Sequence, residues 1–125
     1  KMPSTLDAAA LTVMAARGQI TGGRVDGPLA FDNAIDLDAA KTKGIVSPVA
    51  GEADILLVPD LEAGNMLAKQ LIYFAGATAA GIVLGARVPI VLTSRSDPLS
   101  ARIASATLAR LLVARNQVPG AGAIS

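Results

Sequence analysis

The chain has 125 residues with eleven basic and ten acidic side chains, and it contains neither Cys nor His. That composition excludes disulfides, thiolate or imidazole metal sites, a Cys nucleophile and any Ser-His-Asp triad, and the lack of Cys fits a reducing cytoplasm. The length fits one domain. With 25 alanines and only Phe31, Tyr73 and Phe74 as aromatics, the core is small and aliphatic, and no stacking platform for single-stranded nucleic acid is available.

In chain order, Pro3-Ser4-Thr5-Leu6-Asp7 reads as a helix start, with Ser4 able to cap and Asp7 where a capping-box acid belongs. The helix continues through Arg17 and is ended by Gly18. Residues 19–26 read as a loop and a short strand. Asp36 can cap a short helix that ends near Lys43, before Gly44. The continuous apolar run Asp54-Ile55-Leu56-Leu57-Val58, closed by Pro59, predicts a strand covered on both faces. A helix over about 63–75 follows, with Gly76 beyond it. Gly81–Leu84 and Ile90–Thr93 predict two further strands of the same sheet. Asp97 can cap a last helix over about 98–114, with Pro98 at its first position. On that helix Ala101, Ala104, Leu108, Leu111 and Leu112 share a side opposite Arg102 and Arg110. Residues 116–125 read as a Gly/Ala-rich flexible tail. Strands alternating with helices predict an α/β layered fold with a largely parallel sheet.

Charge is uneven. Residues 1–62 carry five basic and nine acidic groups, and residues 63–125 carry six and one. A basic second half can attract phosphates, and it can equally be a solvated face. The 17-residue charge-free stretch Gln70–Ala86 contains Gly76, Thr78 and Gly81 and reads as a helix end, a loop and a buried strand rather than a membrane span. No signal-peptide apolar core follows Lys1-Met2-Pro3, and a start other than Met points to a fragment or processed chain.

Ligands of open parallel sheets bind beyond the carboxyl ends of strands. Two loops meet that rule: Pro59-Asp60-Leu61-Glu62-Ala63-Gly64-Asn65 and Ser94-Arg95-Ser96-Asp97. Each sets small or polar residues near the amides of a helix start, which suits an anion. Asp60 is either a cap or a catalytic acid, and Asn65 either a turn residue or a ligand-binding one. Arg95 can take a phosphate or carboxylate bidentately or form an ordinary salt bridge. Asp97 is most simply a cap. No P-loop and no Gly-x-Gly-x-x-Gly after a strand is present. The acids Asp32, Asp36 and Asp38 lack EF-hand spacing, and no metal site is expected.

Four ordered blocks resemble the phosphate acetyltransferase/phosphate butyryltransferase family: Asp26-Gly27-Pro28-Leu29-Ala30-Phe31-Asp32-Asn33-Ala34, Ser47-Pro48-Val49-Ala50-Gly51-Glu52-Ala53-Asp54, residues Pro59–Asn65, and Pro89-Ile90-Val91-Leu92-Thr93-Ser94-Arg95. The form Leu-Thr-Ser-Arg-Ser-Asp is closer to the butyryl-type branch and also resembles forms fused behind a MaoC-type hydratase domain. The resemblance implies reversible acyl transfer between coenzyme A and phosphate. It implies a three-layer sandwich like that of isocitrate/isopropylmalate dehydrogenases, in which residues 1–115 are the C-terminal part of a two-domain fold. Acyl-CoA, phosphate and acyl phosphate are the expected small partners, and a preceding N-terminal domain the expected protein partner. A homo-oligomer in the cytoplasm is expected, without nucleic acid or membrane and with no cofactor beyond coenzyme A as substrate.

The family's serine–arginine pair maps onto Ser94 and Arg95. Arg95 would hold the phosphate and the developing oxyanion, Ser94 the CoA sulfur or acyl oxygen, and Asn65, Gly64 and Asp97 would contribute to substrate binding. The acetyl-type branch has an aspartate seven positions after that serine, proposed as thiol base. Here that position is Ala101, and Asp97 is the nearest acid. Without Cys or His, direct transfer in a ternary complex fits better than a covalent acyl-enzyme. Two other readings share these features: a metal- and NAD(P)-dependent dehydrogenase of the same fold, and a non-catalytic dimerisation module.

Overall fold

A computed structural model of the chain describes residues 2–116. The chain divides after Ala63 into two compact units. The first holds α1 (Pro3–Ala16), α2 (Phe31–Ile35) and α3 (Leu37–Thr42). The boundary falls within α4 (Leu61–Tyr73), and β1 (Ile82–Val83), β2 (Ile90–Val91) and α5 (Leu99–Asn116) belong to the second. Residues 117–125 of the expected tail lie outside the described residues, and Asn116 closes α5.

Local signals place the helix ends well. Gly18 takes φ +73 after α1, where Gly18 N–H donates to Ala15 O and Gln19 N–H to Met14 O. Gly44 does the same for α3, with Gly44 N–H on Lys41 O and Ile45 N–H on Ala40 O. Both are Schellman closures. Asp36 caps α3 by accepting from Ala39 N–H at 2.7 Å, and Asp60 caps α4 by accepting from Ala63 N–H at 2.7 Å. At α1 the expected Ser4 cap is corrected. Met2 is the cap residue, without a side-chain bond, and Pro3 starts the helix where a missing N–H costs nothing.

In the first unit, Ala34, Ala40 and Ala50 are buried with Asn33. The turn 47–53 closes on α2: Gly51 N–H donates to Asn33 O at 2.7 Å and Ala53 N–H to Ala34 O at 3.0 Å. Ser47 Oγ accepts from the amides of Val49 and Ala50. Gly51 has φ +84, and a Cβ there would lie 2.6 Å from Leu37 Cα. This turn therefore needs glycine for both conformation and approach. The short strand expected within 19–26 does not form; the segment is bends and irregular chain.

The expected strand 54–58 is also corrected. The segment is a bend at Asp54 followed by irregular chain, and among the described residues no backbone hydrogen bond reaches it. Its side chains alternate: Leu56 and Val58 are half-buried, Ile55 is 85% exposed and Leu57 77%. Apolar composition supplies the faces of a strand but not the ladder partner that makes one.

In the second unit β1 and β2 form a two-stranded sheet, paired Ile82 to Val91 and Val83 to Ile90. The pairing is antiparallel, against the expected parallel sheet. Residues 84–89 between them form a short connection with Gly85 at φ +81, and a parallel crossover needs a dozen or so residues. Helix α5 packs on both strands. Its buried stripe is Ala101, Ser105 and Ala109, while Leu108 and Leu111 are exposed. The face is therefore rotated from the expected leucine side. Ser105 sets it: its Oγ accepts from Gly81 N–H at 3.0 Å and donates to Ala101 O at 2.8 Å. Small residues on α5 allow this approach, and on the strand side Gly81 is needed for another contact, since a Cβ there would lie 2.5 Å from Leu92 O.

Candidate functional site

Ser94, Arg95 and Asp97 stand on the loop that joins β2 to α5. Asp97 clasps this loop from both sides. Its Oδ2 accepts from Ser94 N–H at 2.7 Å, and its own N–H donates to Ser94 O at 3.1 Å. The bond is a charge-assisted one between a carboxylate and an amide. The expected capping role of Asp97 is thereby corrected, since the carboxylate turns back to Ser94. Pro98 instead opens α5, its carbonyl accepting from the amides of Ala101 and Arg102.

Ser94 and Arg95 are exposed and Asp97 is half-buried. Ser94 Oγ lies 3.2 Å from Ser96 Oγ, and either hydroxyl can donate. Arg95 takes part in no ion pair among the described residues; the pairs there are Lys41–Asp38 and Lys43–Asp32. The salt-bridge reading of Arg95 thus finds no partner among them, and its donors face solvent. A cavity of ≈ 240 Å³ adjoins the loop at Asp97, between Ile72, residues 76–79, Asp97, Pro98, Ser100 and Ala101, and neither Ser94 nor Arg95 lines it. Sequence reasoning missed Thr78 and Ser100 on its wall. Ser100 in the first turn of α5 carried a weak signal, and Thr78 carried none beyond its place in a loop.

Gly64 and Asn65 are the fourth and fifth residues of α4. Gly64 is half-buried and Asn65 exposed. Neither lines this cavity, and no hydrogen bond among the described residues joins them to the 94–97 loop. At both loops an amide expected to receive an anion already serves a carboxylate: Ala63 N–H serves Asp60, and Ser94 N–H serves Asp97.

The three acids of the weak cluster each have another role. Asp36 caps α3, Asp38 pairs with Lys41 at 3.7 Å, and Asp32 pairs with Lys43 at 2.6 Å. The Lys43 hydrogen bond holds the Asp32 carboxyl below its ordinary value. Among the described residues no group of three His, Cys, Asp or Glu is placed to hold a metal ion, and no helix is long and apolar enough to cross a membrane.

The class this defines is a mixed helix-and-sheet protein that presents an exposed serine–arginine pair on a clasped loop. Comparison with known proteins gives the family. Residues 1–109 match the model for phosphate acetyl/butaryl transferase. The chain is 64% identical to phosphate acetyltransferase of Rhizobium meliloti over 99% of its length, and 68% identical to that of Rickettsia prowazekii over 89%. It is 48% identical to phosphate butyryltransferase of Clostridium beijerinckii over 93%. These alignments cover 39%, 32% and 38% of the respective relatives, so the chain spans about a third to two fifths of their length. A branched-chain phosphotransacylase from Enterococcus faecalis V583 superposes with a TM-score of 0.76 at 38% identity, covering 87% of this chain and 40% of that one. The chain belongs to the phosphate acetyl/butaryl transferase family. Identity is higher to these acetyl-named relatives than to the butyryl-named one, whereas the sequence reading expected the Ser94 block to lie closer to the butyryl-type branch.

Proposed function

We propose that the chain is the C-terminal part of a phosphate acyltransferase that converts acyl-CoA and phosphate to acyl phosphate and CoA, reversibly. The observation that carries this reading is the Ser94–Arg95 pair. It is exposed on a loop held by two bonds to Asp97, and its guanidinium is without an ion-pair partner among the described residues. In the forward reaction a phosphate oxygen attacks the thioester carbon and the C–S bond breaks, releasing the CoA thiolate. Arg95 holds the phosphate and the oxyanion that develops on the acyl oxygen, as a planar fork can for two oxygens. Ser94 donates its hydroxyl to the acyl oxygen or the departing sulfur. Asn65 and Gly64 are substrate-binding residues in this proposal, and they reach the reacting groups only in the assembled protein.

Family membership supports a preceding domain as the other wall of the site, in a three-layer, dehydrogenase-like arrangement and a homo-oligomer. Coenzyme A enters as substrate, and no further cofactor is proposed. The compartment proposed is the cytoplasm. The test is Arg95→Lys in a polypeptide of full family length carrying this sequence, with CoA release followed from acetyl-CoA and butyryl-CoA. A lysine keeps the charge and loses the fork, and removal of one preorganised stabiliser costs on the order of 10²–10³ in rate. Near-normal turnover in a correctly folded variant removes Arg95 from the chemistry.

A further inference from the structure

We propose that Asp97 is a positioning residue, which fixes the Ser94 backbone through its carboxylate and thereby aims the Ser94 hydroxyl and the Arg95 guanidinium. The inference rests on the acyltransferase reading and assigns Asp97 a role distinct from substrate ligand or thiol base.

Three observations carry it. The Asp97 carboxylate accepts from Ser94 N–H at 2.7 Å, the short distance of a charge-assisted bond. Asp97 N–H returns a bond to Ser94 O at 3.1 Å, so both backbone polar groups of Ser94 end on one residue. The loop has few other anchors. Ser94 and Arg95 are exposed, and the only other side-chain hydrogen bond of Ser94 among the described residues is to Ser96 Oγ.

An exposed loop carrying two reactive side chains loses its geometry unless something ties it, and a displacement of about 1 Å can cost on the order of 10²-fold in rate. Asp97 is also the sole acid of residues 63–125, so the chain spends its one carboxylate there on this amide. A base for the CoA thiol needs a carboxylate that loses and gains a proton. A clasp needs only an acceptor oxygen, which an asparagine also supplies. The two roles therefore separate by a single isosteric change.

The experiment compares Asp97→Asn and Asp97→Ala in a polypeptide of full family length carrying this sequence. It measures kcat and KM for acetyl-CoA and butyryl-CoA with phosphate, and the Ser94 amide resonance in protein labelled with nitrogen-15 serine. For Asp97→Asn, kcat should stay within about threefold of wild type, because a neutral acceptor keeps the geometry of the bond at roughly half its strength. For Asp97→Ala, kcat should fall on the order of 10²-fold while KM changes little, the pattern of an interaction used in the transition state. The Ser94 amide proton should lie downfield in wild type and the Asn variant and move upfield in the Ala variant.

Asp97→Asn as damaging as Asp97→Ala overturns the proposal in favour of a base. A rise in KM at constant kcat overturns it in favour of a substrate ligand. An Ala variant with full activity, or an unmoved Ser94 amide, overturns the clasp. If Asp97→Ala does not fold, the isosteric Asn variant decides alone. A wild-type protein that holds the downfield Ser94 amide yet releases no CoA overturns the acyltransferase reading and the catalytic role with it, while leaving the clasp itself supported.

Discussion

At Gly51 one atom decides whether the first unit closes. The residue has φ +84, and an added Cβ meets Leu37 Cα at 2.6 Å and Leu37 N at 2.8 Å, both backbone atoms that cannot swing away. Gly51→Ala should therefore cost more than about 2 kcal/mol, adding a clash to the left-handed strain. Gly44→Ala, with φ +66 and nothing within 4 Å, should cost only about 1 kcal/mol for the conformation alone. Urea titrations of the two variants check this, and equal midpoints would refute the close-approach argument.

Asp32 gives a second outcome at this scale. Its carboxyl is held below the ordinary value of 3.8 first by the Lys43 hydrogen bond. A lowered folded pKa means stability that is present above the unfolded value and lost as pH falls through the folded one. Both partners are half-exposed, so the effect on stability is small. The resonance-monitored midpoint of Asp32 should lie below that of a free aspartate and return to it in Lys43→Met.

Helix ends were legible in the sequence because their causes are local. Asp36 and Asp60 each reach an amide three residues on, and Gly18 and Gly44 each supply the left-handed turn that closes a helix. Elements that depend on distant partners were not. The run 54–58 has strand composition and alternating burial, but among the described residues no ladder bond. The face of α5 followed the leucines in the sequence and Ser105 in the structure, because a bond to Gly81, 24 residues away, outranks the wheel. Asp97 shows the same limit within the site. An acid before a helix reads as a cap, yet the amide at Ser94 lies at the same three-residue reach on its other side. The sequence block placed Ser94 and Arg95 on a loop before the last helix, where they stand, while the cavity that adjoins Asp97 had no signal in it.

One change tests how β1 is held to α5. Ser105 is 1% exposed, and its hydroxyl serves Gly81 N–H and Ala101 O together. Ser105→Ala leaves the part-buried Gly81 amide without that acceptor, and loss of such a bond costs about 1 kcal/mol. Hydrogen exchange at Gly81 should accelerate in the variant while exchange in the first unit stays as in wild type. Unchanged protection at Gly81 would show that the strand is held by the β2 ladder alone.

At the scale of the whole molecule, the expected outcome is that the 125-residue chain by itself shows no phosphate acyltransferase turnover. The chain spans 39%, 32% and 38% of the acetyl- and butyryltransferases it matches. The Ser94–Arg95 pair stands exposed. A site that transfers an acyl group to phosphate rather than to water must exclude water and hold two substrates at once. Holding both in register supplies about 7–11 kcal/mol of the barrier reduction in well-oriented systems, and one exposed loop cannot provide it. Arg95 still offers its fork, so weak phosphate binding should remain, visible as a shift of the Arg95 side-chain resonances and absent from Arg95→Ala. The deciding assay incubates the purified chain with acetyl-CoA or butyryl-CoA and phosphate and follows free thiol. Addition of the remaining polypeptide of the family, in trans or by fusion, should restore turnover. Robust CoA release by the chain alone would show that the Ser94 loop and its cavity form a complete site, and that no second wall is needed.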